Sequence, residues 1–177
     1  MLQKIRRIVT GHQDGRATIM INDLAPNATE IRGWPGLGVT ELWVTSESPV
    51  DNSRWGEDQG ARPMRHDPTP HGTIFRVVEF PPESQGKIDP KLAFESLGSH
   101  NKPSADDSSK HPSMHKTNSI DYLAVISGEM WMVMEEGEVL LRPGDCIVQR
   151  GTNHAWVNKS DKPCLLAVVL IDAQPAE

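Results

Sequence analysis

Two stretches decide the fold: Met114-His115-Lys116-Thr117-Asn118-Ser119-Ile120-Asp121-Tyr122-Leu123-Ala124-Val125-Ile126-Ser127-Gly128, and Gly144-Asp145-Cys146-Ile147-Val148-Gln149-Arg150-Gly151-Thr152-Asn153-His154-Ala155-Trp156-Val157-Asn158. On an extended chain alternate residues share a face. His115, Thr117, Asp121, Leu123 and Val125 therefore project to one side, and His154, Trp156 and Asn158 do the same in the second stretch. Two imidazoles and a carboxylate from neighbouring strands then converge on an interior face.

Outward from these stretches, runs with strand character recur: Ala17 to Asn22, Val39 to Thr45, Thr73 to Phe80, Ile120 to Ile126, Met130 to Met134, Val139 to Leu141, Cys146 to Gln149 and Leu165 to Ile171. Each is rich in β-branched and apolar residues and bounded by turn formers. From residue 120 the breaks at Ser127-Gly128, Glu136-Gly137, Pro143-Gly144 and Gly151-Thr152-Asn153 are closely spaced, as in a sandwich or barrel. One helix is expected, Pro90 to Leu97, with Asp89 as its N-cap and Gly98 just past its end. It interrupts a long polar excursion over residues 81–114, and residues 46–72 are expected to wrap the outside in the same manner. Gly33-Trp34-Pro35-Gly36-Leu37-Gly38 opens no helix, so it is a rigid turn over a barrel end rather than a phosphate cradle.

Composition agrees with an all-β reading. The 177 residues suit one domain, and 14 Gly with 14 Pro demand many turns. A formal charge of -6 supplies no positive field for nucleic acid or an anionic membrane, so neither is an expected partner. The first ten residues lack the apolar stretch of a secretory signal, which makes the expected location cytoplasmic. Cys146 and Cys164 have no metal-binding spacing and are expected to be buried thiols.

The two stretches resemble the paired motifs of the cupin superfamily. The first cupin motif runs Gly, five residues, His-x-His, three or four residues, Glu, six residues, Gly; this chain has His115-x-Thr117, three residues, Asp121, six residues, Gly128. The second runs Gly, five residues, Pro-x-Gly, two residues, His, three residues, Asn; here Gly144, four residues, Gln149-x-Gly151, two residues, His154, three residues, Asn158 stand in those places. The resemblance implies a jelly-roll β-barrel over residues 73–172, carrying an N-terminal extension (1–72) packed on it, extra strands, a long loop and a short tail (173–177).

It also implies a site at the barrel's open end. His115, Asp121 and His154 fall on metal-ligand positions, while Thr117 replaces the second histidine. Imidazole and carboxylate suit Fe(II), Mn(II), Ni(II) or Zn(II) and leave positions open for substrate. Without a metal, Asp121 against His115 or His154 becomes an acid/base pair, because a carboxylate among Ile120, Tyr122, Leu123, Ala124 and Val125 needs a partner or a proton. Thr117, Tyr122, Trp131, Gln149 and Trp156 are expected to contact substrate, with Met130, Met132 and Met134 as core, Arg150 and Asn153 at the rim, and His71, His100 and His111 solvated. The expected function is a metal-assisted lyase or isomerase acting on a small organic acid or hydroxy-carbonyl compound. The alternatives are a non-catalytic small-ligand barrel and an Fe(II) dioxygenase. A homodimer is expected, with N-terminal strands hiding sheet edges across a two-fold axis.

Overall fold

The alternation read from the sequence organises two sheets. The computed structural model describes residues 2–53, 57–99 and 110–175. In chain order the elements are β1 (Arg6–Gln13), β2 (Arg16–Leu24), β3 (Asn27–Glu30), β4 (Gly38–Thr45), β5 (Thr73–Phe80), α1 (Pro90–Ser96), β6 (Ser119–Ser127), β7 (Met130–Met134), β8 (Glu138–Leu141), β9 (Cys146–Arg150), β10 (His154–Val157) and β11 (Cys164–Asp172). A six-stranded antiparallel sheet has the order β3-β4-β5-β11-β6-β9, and a three-stranded sheet the order β10-β7-β8. Ile74, Leu166 and Val168 of the first share one core with Met130, Met132, Leu141 and Trp156 of the second, so the sheets face each other across a jelly-roll interior.

Residues 27–45, assigned by sequence to an extension packed on the barrel, are strands of the larger sheet itself: β3 pairs β4, and β4 pairs β5. Two strands had no matching expectation, β1 and β3. The first of these forms a hairpin with β2 that belongs to neither large sheet. Asp14 (φ 50°) and Gly15 (φ 73°) make its turn, the positive-φ pair that two-residue hairpins favour. The hairpin's base is tied down: Arg7 pairs with Asp58 and donates to the Leu42 carbonyl, while Ile5 and Ala25 pack on Leu42, Val77 and Leu165.

The expected helix forms. Asp89 accepts from the Leu92 amide at 3.1 Å, capping the first turn. Gly33 permits its docking: with φ 83°, a Cβ there would sit 2.7 Å from the Ala93 nitrogen and 2.8 Å from the Asp89 carbonyl. Cys164 is buried, but Cys146 is exposed at the start of the edge strand β9, against expectation, because its parity places it on the sheet's outer face. No helix among the described residues is long and apolar enough to cross a membrane.

Candidate functional site

Residues 115 and 154 meet through backbone before they meet through side chains. An isolated antiparallel bridge joins them, His115 N donating to His154 O at 2.9 Å and His154 N to His115 O at 3.0 Å. The two imidazoles consequently lie 4.6 Å apart, centroid to centroid, with their planes tilted by 47°. Each Nδ1 lies 2.9 Å from a carbonyl, Ser113 O for His115 and Thr152 O for His154. A carbonyl cannot donate, so this geometry selects the Nδ1–H tautomer and leaves the lone pair on Nε2. Gln149 Nε2 donates to the Thr152 carbonyl (2.7 Å) and hydroxyl (2.8 Å), and so braces the turn whose carbonyl faces His154 Nδ1.

Both rings are held neutral. Burial lowers the His115 pKa well below 6.5, helped by the neighbouring His154 and His66, and burial brings His154 down to about 4. His115 keeps some solvent contact, yet its ring is enclosed by protein and desolvation is the first cause.

The rings line a cavity of about 90 Å³ that also receives Thr117, Asp121 and Trp156. Five of the eight expected site residues are thus brought together. Thr117, in the place of the missing histidine, hydrogen-bonds Ser119 Oγ at 2.7 Å, and the Ser119 hydroxyl hydrogen-bonds the Asp121 carboxyl. Since an ionised carboxylate only accepts, Ser119 donates to Asp121 and Thr117 donates to Ser119, a chain of hydroxyls running from cavity wall to buried acid. Asp121 Oδ1 is buried without a hydrogen bond. Burial pushes its carboxyl up to about 6, against the lowering effects of Ser119 and Arg76.

The other three expected contacts lie elsewhere. Tyr122 has the opposite parity to Asp121 and is 48% exposed on the sheet's outer face. Trp131 packs on Met114, Val133, Ala155 and Val157, with Lys159 Nζ 4.3 Å from its ring centroid. Gln149 is fully buried behind His154 rather than at a mouth. Of the remaining side chains, Met130 and Met132 are core and Met134 packs against it, Arg150 is exposed, and Asn153 is buried and donates to Glu135 at 3.1 Å. His71 is exposed; His111 is instead held by Ser113 (2.7 Å) and Glu83 (3.2 Å), and His100 lies outside the described residues.

Among the cavity residues that the sequence did not single out, four bear on the site's chemistry. His66, from the loop expected to wrap the outside, places its ring 5.1 Å from that of His115. Phe94 and Leu97 arrive from α1 and its cap, with Phe94 5.2 Å from the His115 ring. Arg76 is 4% exposed on β5 and pairs with Glu41 of β4 at 2.9 Å, directly across the sheet register. Its inward parity with Ile74 and Phe80 is a signal the sequence offered; His66 sits in Met64-Arg65-His66-Asp67-Pro68, which has no period to read.

A catalytic metal centre usually has three converging protein ligands. His115 and His154 have the right tautomer and the backbone support that ligating histidines show. Asp121, however, engages Ser119 and Arg76, and no ion pair joins it to either histidine among the described residues. Nor is any group of three or more His, Cys, Asp or Glu among the described residues arranged to hold a metal ion. The expected His115, Asp121 and His154 sphere is therefore not assembled, and the donor set does not fit a metal as it stands.

Residues 102–170 match the cupin domain family. The cupin-domain-containing oxidoreductase virC of Hypocrea virens is 34% identical over 98% of this chain and 79% of that protein. The chain belongs to the cupin superfamily. This cupin is also similar to the cupin-domain-containing oxidoreductase srdB of Neurospora crassa, at 37% identity over 96% of this chain and 74% of that protein. Phomopsin biosynthesis cluster protein C' of Diaporthe leptostromiformis is 30% identical over 99% of this cupin and 82% of that protein.

Proposed function

We propose that this cupin is an enzyme that moves protons on a small carbonyl-bearing molecule, in a lyase or isomerase type of reaction. One observation carries the reading: paired neutral imidazoles with Nδ1 on carbonyls and Nε2 lone pairs left for a ligand share a cavity with a buried acid whose Oδ1 has no partner. A substrate C–H or O–H is acidified when its carbonyl is bound away from water, and His115 or His154 Nε2 accepts the proton. Asp121, reached through Thr117 and Ser119, holds or returns a proton at the other end of the hydroxyl chain. A carboxyl near pH 6 changes charge at little cost, which suits both roles.

Deuterium incorporation from D₂O into an enolisable probe, phenylacetone, followed by NMR, tests this. Wild-type protein accelerates exchange, and His154→Ala or Asp121→Asn lowers the rate by about 10²–10⁴-fold while leaving the thermal transition cooperative. Wild-type exchange no faster than buffer, or variants that keep the rate, overturns the reading and leaves a ligand-binding barrel. A second reading, oxidoreductase chemistry, is supported by the names of the relatives. On the first reading a chelator leaves exchange unchanged; loss on chelation restored by Fe(II) supports the second.

The same protein is proposed to pair with a second copy. Across the outer face of the larger sheet one register row reads Trp43, Phe75, Val169, Tyr122, Val148, and the next continues as Ala167, Ala124, Cys146 beyond Val77, which Ile5 and Ala25 already cover. Phe75 is 41% and Val148 58% exposed. An antiparallel sheet facing water normally alternates to polar residues there. Strand spacings give this face roughly 400 Å², and the hairpin of β1 and β2, strands of 8 and 9 residues, adds roughly 300 Å². Face and hairpin from each copy together approach the ~800 Å² per partner of a stable dimer. The exposed free thiol of Cys146 supports a reducing, cytoplasmic location.

A further inference from the structure

The cavity's walls and its charge say what kind of molecule enters it. Trp34, Phe80, Phe94 and Trp156 supply aromatic surface, and aliphatic side chains of β4, β6 and β11 fill most of the remainder. The polar groups gather at one end. There Arg76 is the fixed cation, and it is already engaged: Glu41 lies 2.9 Å from its Nη2, and the same nitrogen donates to the Arg65 carbonyl. Asp121 and Asp67 bear on that guanidinium electrostatically as well. Three carboxyl groups thus bear on one guanidinium; His66 Nδ1 lies 3.1 Å from Asp67 Oδ1, while His115 and His154 adjoin each other with each Nδ1 on a carbonyl and add no charge.

An organic acid needs an unspent cation, usually an arginine fork, in exchange for its lost hydration. Here the arginine already has Glu41 as its ion-pair partner, and its Nε–H, buried without a hydrogen bond, serves a neutral carbonyl without adding charge to the site. A neutral carbonyl or hydroxyl, by contrast, asks only for the Thr117 hydroxyl or an imidazole nitrogen, while an aromatic ring finds edge and face partners in Phe94 and Trp156. A volume of about 90 Å³ holds several waters and is of the order of cavities that admit a single ring. We infer that the site takes an uncharged, single-ring-sized compound bearing a carbonyl or hydroxyl group, and discriminates against carboxylates of the same shape. The inference narrows the proposed proton-transfer reading from acids and hydroxy-carbonyl compounds to the neutral class, and it rests on that reading for the identity of the site.

The test compares isosteres. Benzyl alcohol, acetophenone and benzoate are titrated into the full chain at pH 8, with isothermal calorimetry and tryptophan fluorescence as readouts. Expected is saturable binding of the two neutral rings and at least tenfold weaker binding of benzoate. Asp121→Asn, which removes one negative charge at constant shape, narrows that gap by bringing benzoate closer to the neutral ligands. Benzoate binding as tightly as acetophenone, or neutral rings failing to saturate a cooperatively folded protein, overturns the inference, as does a gap unchanged by Asp121→Asn. The two proposals fail separately: neutral rings that bind without deuterium exchange sink the catalysis and keep the ligand class, whereas exchange seen only on acids does the reverse.

Discussion

The two faces of the six-stranded sheet are made from the same strands by the same alternation, yet each breaks the usual rule in the opposite direction. The inner face buries charge: Glu41, Arg76 and Asp121 sit among Val39, Ile74, Leu123 and Val168. The outer face exposes apolar surface, with Phe75, Tyr122 and Val148 in solvent. Burying a carboxylate or a guanidinium costs several kcal/mol unless it is paired, and leaving large side chains in water forfeits roughly 25 cal/mol per Å². Both costs on one sheet are what the two proposals draw on, a small molecule within and a second copy of the chain without.

The sharpest way to break the contrast is at the inner ion pair. Arg76→Ala leaves Glu41 buried without its partner, and an expected loss of about 3–5 kcal/mol appears in urea denaturation. Arg76→Met combined with Glu41→Leu recovers most of it, because the apolar pair needs no desolvation. If the double variant is as unstable as the single, the pair contributes something beyond mutual charge compensation.

Next in size is Asp121. Its carboxyl ordinarily titrates at 3.8 and is pushed up to about 6 in the fold, so the folded state holds its proton more tightly than the unfolded state does. Stability from this group is present at low pH and lost as pH rises from about 4 to 6, a cost of about 3 kcal/mol at neutral pH at 1.36 kcal/mol per pH unit. His154, lowered from 6.5 to about 4, acts the other way: the unfolded state binds its proton first, and stability falls as pH drops from 6.5 towards 4. In wild-type protein the two slopes oppose each other, with His115 adding to the acid loss. Asp121→Asn is therefore expected to be more stable than wild type at pH 7.5 and to lose stability more steeply below pH 6.5, as read by urea midpoints across pH. A variant with an unchanged pH slope removes the argument that this acid is buried at a cost.

The smallest thermodynamic effect, with the clearest structural readout, belongs to the outer face. Tyr122→Lys with Val148→Lys changes the stability of the isolated chain by no more than about 0.5 kcal/mol per site, since both side chains are already exposed. Light scattering is expected to show a dimer for wild type and a monomer for this variant. A wild-type monomer across micromolar concentrations would mean that this face has no second copy to meet.

Much of the inner face was legible in the sequence. A period of two put His115, Thr117 and Asp121 on one side, and His154 with Trp156 likewise, because side-chain direction along a strand follows from covalent geometry alone. The same count assigns Tyr122 to the opposite side, so its expected substrate contact contradicted the alternation that placed Asp121. The hairpin of β1 and β2 announced itself only through Asp14-Gly15, a two-residue turn signal between strands of mixed polarity. Gln149 lies opposite Asp121 in the register, but its amide turns to the Thr152 carbonyl and hydroxyl, a choice made by hydrogen bonds rather than by parity.

What the chain's order of residues determined by itself was most of the strands, the faces they present and an acidic balance of -6, all consequences of local period and composition. Only the tertiary structure decided that His66 leaves an irregular loop to stand beside His115, that α1 brings Phe94 to the same rings, and that Arg76 is spent on Glu41. Those contacts join residues tens of positions apart through packing and charge compensation, and no periodicity along a chain encodes a distance that folding alone creates.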